Sequence, residues 1–168
     1  CLLQAGASKV YAVETGYGLL DWKLRNDSRV VVMERTNAMH ATLLEKVDLL
    51  TIDTSWTKLE TILPNALNQI KKDGQLIALI KPHYEAKKNR LKGGVLSIED
   101  AQTAFENVLK GLSKFPVHLL NQTVLHDHNA VAHGHGFDLV VGDVDHGRLQ
   151  AGVQLADFSA HLHAHLGV

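Results

Sequence analysis

The chain has 168 residues, of which 45% are hydrophobic, and this is enough to bury the core of one globular domain. Its 17 Lys and Arg residues nearly balance its 18 Asp and Glu residues, which excludes a strongly basic surface as a whole and predicts no partner. The single cysteine, Cys1, cannot form an internal disulfide, and no apolar run reaches the roughly 20 residues that span a bilayer. These features predict a protein of a reducing, cytoplasmic compartment.

Short apolar runs alternate with longer polar and amphipathic stretches, a pattern typical of an α/β fold with a mainly parallel sheet and helices on both faces. After Pro116, two further apolar runs separated by a short loop predict an antiparallel pair that ends the sheet. We expect one domain over residues 1–145, followed by a tail at 146–168 in which the pattern predicts no element. The runs of branched aliphatic residues predict four parallel strands, at residues 9–14, 29–35, 47–53 and 75–82.

Three helices are predicted between these strands, at residues 17–26, 57–72 and 98–114. The second should end at the basic residues of KKDG, with Gly74 as its cap. Ser97 followed by Asp100 is a typical start for the third helix.

Polar residues stand where the first two strands end, and α/β sheets bind ligands outside the carboxyl ends of their strands. Glu14 ends the first strand, and its carboxylate could accept both ribose hydroxyls of a nucleoside or cap the TGYG stretch that follows. Position alone does not separate these alternatives. Asn37 follows the second strand, where an amide could bind an adenine edge.

Two charged residues of opposite sign end the next two strands. Asp53 ends the third strand and Lys81 ends the fourth, so a carboxylate and an ammonium should face each other across one crevice. Such a pair is either catalytic or a structural ion pair, since both kinds occur at strand ends.

Three segments, GYGLLDWKLR, VDLLTIDTSW and IKPHYEA, resemble the hemolysin A-type (TlyA-like) members of the FtsJ-related RNA methyltransferases, and the resemblance runs from residue 1 to about residue 100. It implies a Rossmann-like class I fold that uses S-adenosylmethionine (SAM) to methylate ribose 2′-hydroxyls of ribosomal RNA, usually behind an S4-type RNA-binding domain. The cofactor contacts that we expect from the resemblance and from the strand ends are Glu14, Tyr17, Gly18, Asn37, Ala38 and Asp53.

The family's catalytic set is Lys, Asp, Lys and Glu, and it carries over in part. Asp53 and Lys81 match the acid and the second lysine, while Asp138 in GHGFDLVV takes the place of the glutamate, one methylene shorter. The family's first lysine, first strand and glycine-rich SAM loop lie upstream of residue 1, and the opening CLLQAGAS looks like the end of a helix. We therefore expect a piece of a longer protein that binds SAM weakly and catalyses poorly. A non-catalytic nucleotide- or RNA-binding form of the fold stays open as an alternative.

A basic segment begins at Lys81. Its sequence, KPHYEAKKNRLK, holds five basic residues and one acid. Beside a catalytic crevice such a segment suits RNA phosphates, although an exposed loop whose charges merely keep it soluble has the same composition. The residues predicted to contact RNA are Lys87, Lys88, Arg90 and Lys92.

Eleven histidines, several of them in HDH, HGH and HLHAH, raise the alternative of a metal site. No His pair has the fixed Cys or Glu partner of a recognised zinc motif, so we expect no metal. The family's name suggests membrane lysis, but the sequence contains no strongly cationic amphipathic helix that would support a membrane partner. Aromatic residues such as Trp22, Trp56 and Phe158 are expected to be core or packing residues rather than site residues.

Overall fold

The computed structural model describes residues 1–92, 95–125 and 137–143. These residues form two compact units, Cys1–Asn37 and a second that begins at Ala38. In the described part, no helix is long and apolar enough to cross a membrane. The predicted boundary between residues 145 and 146 lies outside the described residues.

The first unit contains two parallel strands, β1 (Val10–Val13) and β2 (Val30–Met33), which pair in register over their whole length. Both lie within the predicted ranges, as expected for runs of branched aliphatic residues. Their carboxyl ends therefore lie on the same side of this small sheet.

The helix predicted at 17–26 is wrong in its first half, because α1 covers only Trp22–Arg25. Gly18 adopts a φ of 73°, a left-handed conformation that a helix cannot contain. Asp21 then caps the helix by accepting a hydrogen bond from the Lys23 N–H at 2.7 Å. The residues before Asp21 form a loop.

The second unit contains a four-stranded sheet in the order β3, β4, β6, β5. β3 and β4 are parallel, whereas β6 is antiparallel to both of its neighbours, which confirms the predicted antiparallel pair. The strands are β3 (Val47–Ile52), β4 (Ile70–Ile80), β5 (His118–Leu125) and β6 (Phe137–Asp143).

Helices connect these strands. α2 (Leu59–Gln69) lies between β3 and β4, and after β4 come the single turn α3 (Pro82–Glu85) and a 3₁₀ turn at Lys88–Arg90. α4 (Ile98–Leu112) precedes β5, and Ser97 caps it as predicted, its Oγ accepting a hydrogen bond from Asp100 N–H at 3.1 Å.

The predicted end of the second helix is wrong, because α2 stops at Gln69 and Ile70 already belongs to β4. Between the pairs Val47–Ile70 and Leu49–Gln75 the register shifts, so that four residues of β4 lie opposite one residue of β3. Asp73, not Gly74, has a left-handed φ of 64°. The KKDG stretch is thus a bulge in a strand rather than a helix end.

The core of the second unit lies between the sheet and α2 and α4. Leu76, Ala78 and Ile80 alternate along β4 and are buried, as one face of a strand against helices requires. The other buried members of this core are Ile52, Leu59, Ile62, Leu63, Ala66, Ile70 and Phe105. Because the last residues of β3 and β4 are buried, the residues that follow them start from fixed positions.

Candidate active site

Asp53 and Lys81 form an ion pair, with 2.6 Å between Asp53 Oδ1 and Lys81 Nζ. Each follows the last residue of its strand, and β3 and β4 are parallel neighbours. The lysine side chain is 17% exposed and the carboxylate 66%, so the pair is open to solvent on the Asp53 side. This confirms the predicted placement of the two residues at one end of adjacent strands.

Ser55 also reaches this pair, since its Oγ lies 3.5 Å from Lys81 Nζ. The hydroxyl gives the ammonium a second, longer oxygen contact. Our sequence analysis missed Ser55. The available signal was a small hydroxyl residue two positions after an acid at a strand end.

Aromatic side chains stand beside the pair, and Trp56, which was predicted to be a core or packing residue, packs outside the core. Trp56 is 85% exposed and has a φ of 64°, a conformation that bulky residues rarely adopt. Its ring centroid lies 4.8 Å from that of Tyr84, which in turn lies 3.9 Å from the His83 ring. Packing against Tyr84 replaces burial as the contact that holds the indole ring.

Trp22 also lies outside the core, since it is 74% exposed at the start of α1. A short helix in a unit without a buried residue among those described offers little apolar surface to cover an indole. Phe158 lies outside the described residues.

Glu85 joins the segment after β4 to the segment after β3. Its Oε1 accepts a hydrogen bond from the Leu59 backbone N–H, the first residue of α2, at 2.8 Å. Burial raises the pKa of the Glu85 carboxyl, against the lowering effects of this hydrogen bond and of nearby Lys58. Sequence reasoning missed this residue, since no local pattern indicates a contact between distant segments.

A small cavity opens between these two segments. Its walls come from the ends of β3 and β4, from the residues that follow β3, and from Lys81, Tyr84 and Glu85. Lys81 therefore lines a recess rather than a flat surface. The remaining lining residues are Ile52, Thr54, Thr57, Leu59 and Leu79.

The basic segment, residues 81–92, includes α3 and the 3₁₀ turn that follows it. The four side chains predicted to bind RNA are exposed, but Arg90 has a carboxylate partner, since its Nη1 lies 3.4 Å from Asp100 Oδ1. Buried Pro82 anchors the start of the segment. The exposed residues are Lys87, Lys88, Arg90 and Lys92.

Asp138 belongs to β6, whose register with β4 places it opposite Ile80, the residue before Lys81. The backbone position is compatible with the predicted catalytic role, which stays a prediction.

The first unit holds most of the residues predicted to bind the cofactor. Glu14 Oε1 accepts hydrogen bonds from Gly16 N–H at 2.7 Å and from Thr15 Oγ at 3.1 Å. Its carboxylate thus orders the loop after β1, the second of the two alternatives considered for it. Tyr17 is exposed, with the Arg35 guanidinium 4.4 Å from the centre of its ring.

Glu34 fixes the loop from the other strand. Its Oε1 accepts a hydrogen bond from Gly18 N–H at 2.8 Å, and its side chain is only 6% exposed. The hydrogen bond from Arg25 lowers the pKa of the Glu34 carboxyl, with a smaller contribution from Gly18. Sequence analysis missed Glu34, although an acid directly after a run of branched aliphatic residues was the available signal.

Asn37 and Ala38, two further residues predicted to contact the cofactor, stand on either side of the boundary between the units in the sequence. Asn37 is an exposed residue of the first unit, and Ala38 begins the second. The Ala38 carbonyl accepts a hydrogen bond from Asn65 Nδ2 at 2.8 Å, which ties it to α2. The predicted set is therefore divided between the units, with Ala38 and Asp53 in the second.

The comparison with protein families decides the class of the molecule, because residues 1–119 match the FtsJ-like methyltransferases. The chain belongs to this family. An FtsJ-like relative, the 16S/23S rRNA (cytidine-2′-O)-methyltransferase TlyA of Mycobacterium tuberculosis, is 42% identical over 112 residues, which are 64% of this chain and 41% of the relative. A candidate rRNA methyltransferase of Bacillus subtilis, YqxC, is 46% identical over 90 residues, 51% of this chain and 32% of its own length. The chain thus spans less than half of either relative.

Solved structures agree with this family. The crystal structure of a hemolysin candidate from Lactococcus lactis matches with a TM-score of 0.77 at 30% identity, over 96% of this chain and 80% of that one. More distant SAM-dependent methyltransferases, at 9% and 12% identity, share the fold alone. The predicted Rossmann-like α/β class is confirmed.

Within residues 1–92, 95–125 and 137–143, no three His, Cys, Asp or Glu side chains are grouped so as to hold an ion. The HDH, HGH and HLHAH stretches lie outside these ranges.

Proposed function

We propose that this FtsJ-like chain transfers a methyl group from SAM to a ribose 2′-hydroxyl of ribosomal RNA. The observation that carries the proposal is the 2.6 Å contact between Lys81 and Asp53 at the ends of two adjacent parallel strands. The family match and the activity of the mycobacterial relative, a 16S/23S rRNA (cytidine-2′-O)-methyltransferase, support the same reaction.

The residues after β1 have a chemistry that fits the ribose of SAM. A carboxylate offers several acceptor sites, so Glu14 can hold the Gly16 N–H through Oε1 and still accept hydrogen bonds from a ribose diol. Gly18 leaves open space, because among the described residues no atom lies within 4 Å of where a Cβ would be. Tyr17 and Asn37 are proposed to complete the adenosine contacts. When bound, SAM supplies an electrophilic methyl group.

Lys81 would act on the ribose oxygen. As the 2′-hydroxyl loses its proton and attacks, negative charge develops on that oxygen, and a nearby ammonium stabilises it. Asp53 holds the lysine amine in a fixed direction, and Ser55 adds a second oxygen contact. Asp53 is 66% exposed, so its carboxylate can pass the released proton on to water.

The basic segment would hold the substrate backbone. Lys87, Lys88 and Lys92 are exposed cations that follow Lys81 in the chain, and phosphates of an RNA strand are their natural partners. Contacts of this kind position RNA without selecting its sequence.

Replacing Lys81 with Ala tests the proposal. We expect K81A to lose methyl transfer from radiolabelled SAM to ribosomal RNA while it keeps SAM binding in calorimetry. A matched control is Lys71→Ala, since Lys71 Nζ pairs with Asp48 at 2.9 Å across the same two strands, before their carboxyl ends. K71A should keep its activity.

Two results would contradict the assignment. Methyl transfer by K81A at the rate of K71A would remove Lys81 from the chemistry. Loss of SAM binding alone would make Lys81 a cofactor ligand. Wild-type protein that binds RNA but transfers no methyl group would favour the non-catalytic alternative.

A further inference from the structure

Besides the Ser55–Lys81 contact, three contacts join the residues after β3 to the residues after β4. Asp53 pairs with Lys81 at 2.6 Å, and the Trp56 ring lies 4.8 Å from the Tyr84 ring. The third contact is the 2.8 Å hydrogen bond from Leu59 N–H to Glu85. We refer to residues 53–59 as the acid segment and to residues 81–85 as the lysine segment. Their contacts follow in the same order along both segments, so the two lie side by side.

The Glu85 contact does the work of a helix cap from outside the helix. The first N–H groups of a helix need acceptors, which usually come from a Ser, Thr, Asp or Asn just before it. At α2 that position is Lys58, whose side chain makes no capping hydrogen bond within the described residues. Glu85 supplies the acceptor and also the negative charge that a helix N-terminus favours. The start of α2 therefore depends on the lysine segment.

The lysine segment depends in turn on its contact with α2. α3 has only four residues, and a single helical turn is not stable without tertiary contacts. Pro82 is buried at one end of it, and Glu85 is tied to α2 at the other. Lys81 immediately precedes this turn, and the Tyr84 N–H donates to the Lys81 carbonyl at 2.9 Å. Fixing the far end of the turn thus fixes the direction in which Lys81 leaves the strand.

Two groups of effects act in opposite directions on the charge of Glu85: the Leu59 N–H and Lys58 favour it, whereas burial and Glu60 oppose it. Burial raises the pKa of its carboxyl, and nearby Glu60 adds repulsion.

We propose that Glu85 is a positioning residue, which fixes the lysine segment to the start of α2 and so keeps Lys81 in contact with Asp53 and Tyr84 against Trp56. The proposal rests on the proposed methyl transfer for its kinetic consequence, but its structural consequence is independent of that activity.

Two substitutions separate the hydrogen bond from the charge. Glu85→Ala removes the acceptor, whereas Glu85→Gln keeps an oxygen that can accept from Leu59 N–H. The matched control is Glu60→Ala, in the first turn of α2, which removes a carboxylate paired with Lys114 at 2.6 Å. Among the contacts described, Glu60 makes no hydrogen bond to the lysine segment, and its substitution only relieves its repulsion of Glu85.

The first readout is structural and uses NMR on the protein without RNA. In E85A we expect the Leu59 amide to exchange with solvent about tenfold faster or more, and nuclear Overhauser effects between Trp56 and Tyr84 to weaken. E85Q and E60A should keep both signals. Unchanged exchange and ring contacts in E85A would overturn the proposal, whether or not the protein transfers methyl groups.

The second readout is the split between kcat and KM for methyl transfer. E85A should lower kcat about tenfold, since Lys81 is misplaced, with a smaller change in KM for RNA. E85Q should stay within about threefold of wild type, because the hydrogen bond is restored. A Gln variant as slow as the Ala variant would overturn the role given to the hydrogen bond. An inactive wild type would instead refute the proposed function and leave the NMR result to decide this inference.

Discussion

Asp48 and Lys71 form an ion pair of 2.9 Å across β3 and β4, the same two strands whose carboxyl ends carry Asp53 and Lys81. Two Asp–Lys pairs thus join one pair of strands, and they differ in burial. Lys71 is 51% exposed, whereas Lys81 is 17% exposed and lines a recess. Lys81, the less exposed of the two lysines, is the one that we propose takes part in the chemistry, and Lys71 serves as the control.

Asp53→Asn should slow methyl transfer about tenfold or more while changing little else. The substitution removes the charge that directs Lys81, and one preorganised electrostatic group is typically worth this much or more. Because Asp53 is 66% exposed, we expect the free energy of unfolding to change by less than about 1 kcal/mol. Initial rates and urea denaturation measure the two effects.

The control for this prediction is Asp48→Asn, which breaks the more exposed pair. It should leave the rate of methyl transfer unchanged. Equal rates for the two variants would mean that the Asp53–Lys81 pair is structural.

Replacing Lys87, Lys88 and Arg90 with Ala should weaken RNA binding across sequences and flatten its salt dependence. Each lost phosphate contact on a single strand reduces the slope of log affinity against log salt by about 0.7. Because Arg90 already pairs with Asp100, we expect the triple variant to lose closer to two phosphate contacts than three. Filter binding at several salt concentrations gives the slope.

A second triple variant controls for net charge. Lys46, Lys72 and Lys110 are exposed and lie outside the basic segment, and their replacement with Ala removes the same charge. If this triple variant changes the slope as much as the first one does, the basic segment is ordinary surface.

Gly74→Ala should destabilise the second unit by about 1–3 kcal/mol. A Cβ at this position would lie 2.6 Å from Ile70 Cγ1 and 3.1 Å from the Asp48 carbonyl oxygen, so the bulge in β4 would have to move. The matched control is Gly111→Ala in α4, where no described atom lies within 4 Å and where Ala favours the helix by up to about 1 kcal/mol. Thermal unfolding should shift in opposite directions for the two variants.

The raised pKa of Glu85 should appear in the pH dependence of the free energy of unfolding. Burial raises the pKa of this carboxyl, with Glu60 adding to the rise and the Leu59 N–H and Lys58 opposing it. The folded state then binds more protons than the unfolded state between the ordinary value of 4.5 and the raised value. The free energy of unfolding falls as pH rises through this window.

Glu85→Gln removes this titration. The stability of wild type relative to E85Q should therefore decrease between pH 4 and pH 7, as measured by urea denaturation at both values. A difference that stays constant, or that grows in favour of wild type, would contradict the raised pKa.

Much of the sheet, and the pairing of Asp53 with Lys81, could be predicted from local sequence patterns. Runs of branched aliphatic residues indicate buried strands, and parallel strands bring their carboxyl ends to one edge. Asp53 and Lys81 each stand directly after such a run, so their contact could be predicted without coordinates.

The rest depended on contacts between distant residues. The KKDG stretch has the composition of a helix end, yet Lys71 pairs with Asp48 on the neighbouring strand and the stretch becomes a bulge. For Trp56 the sequence predicts a core or packing residue without a partner, and the structure shows it exposed, in a loop with a left-handed φ, against Tyr84. Glu85 caps a helix that begins far from it in the chain, and no local pattern predicts that bond.

The most direct test of the central claim is nucleoside mass spectrometry of ribosomal RNA after incubation with the protein and SAM. Wild type should produce a 2′-O-methylated nucleoside that is absent from the K81A reaction, because Lys81 acts on the ribose oxygen. A methyl group on a base, or the same 2′-O-methylated product from K81A, would contradict the account.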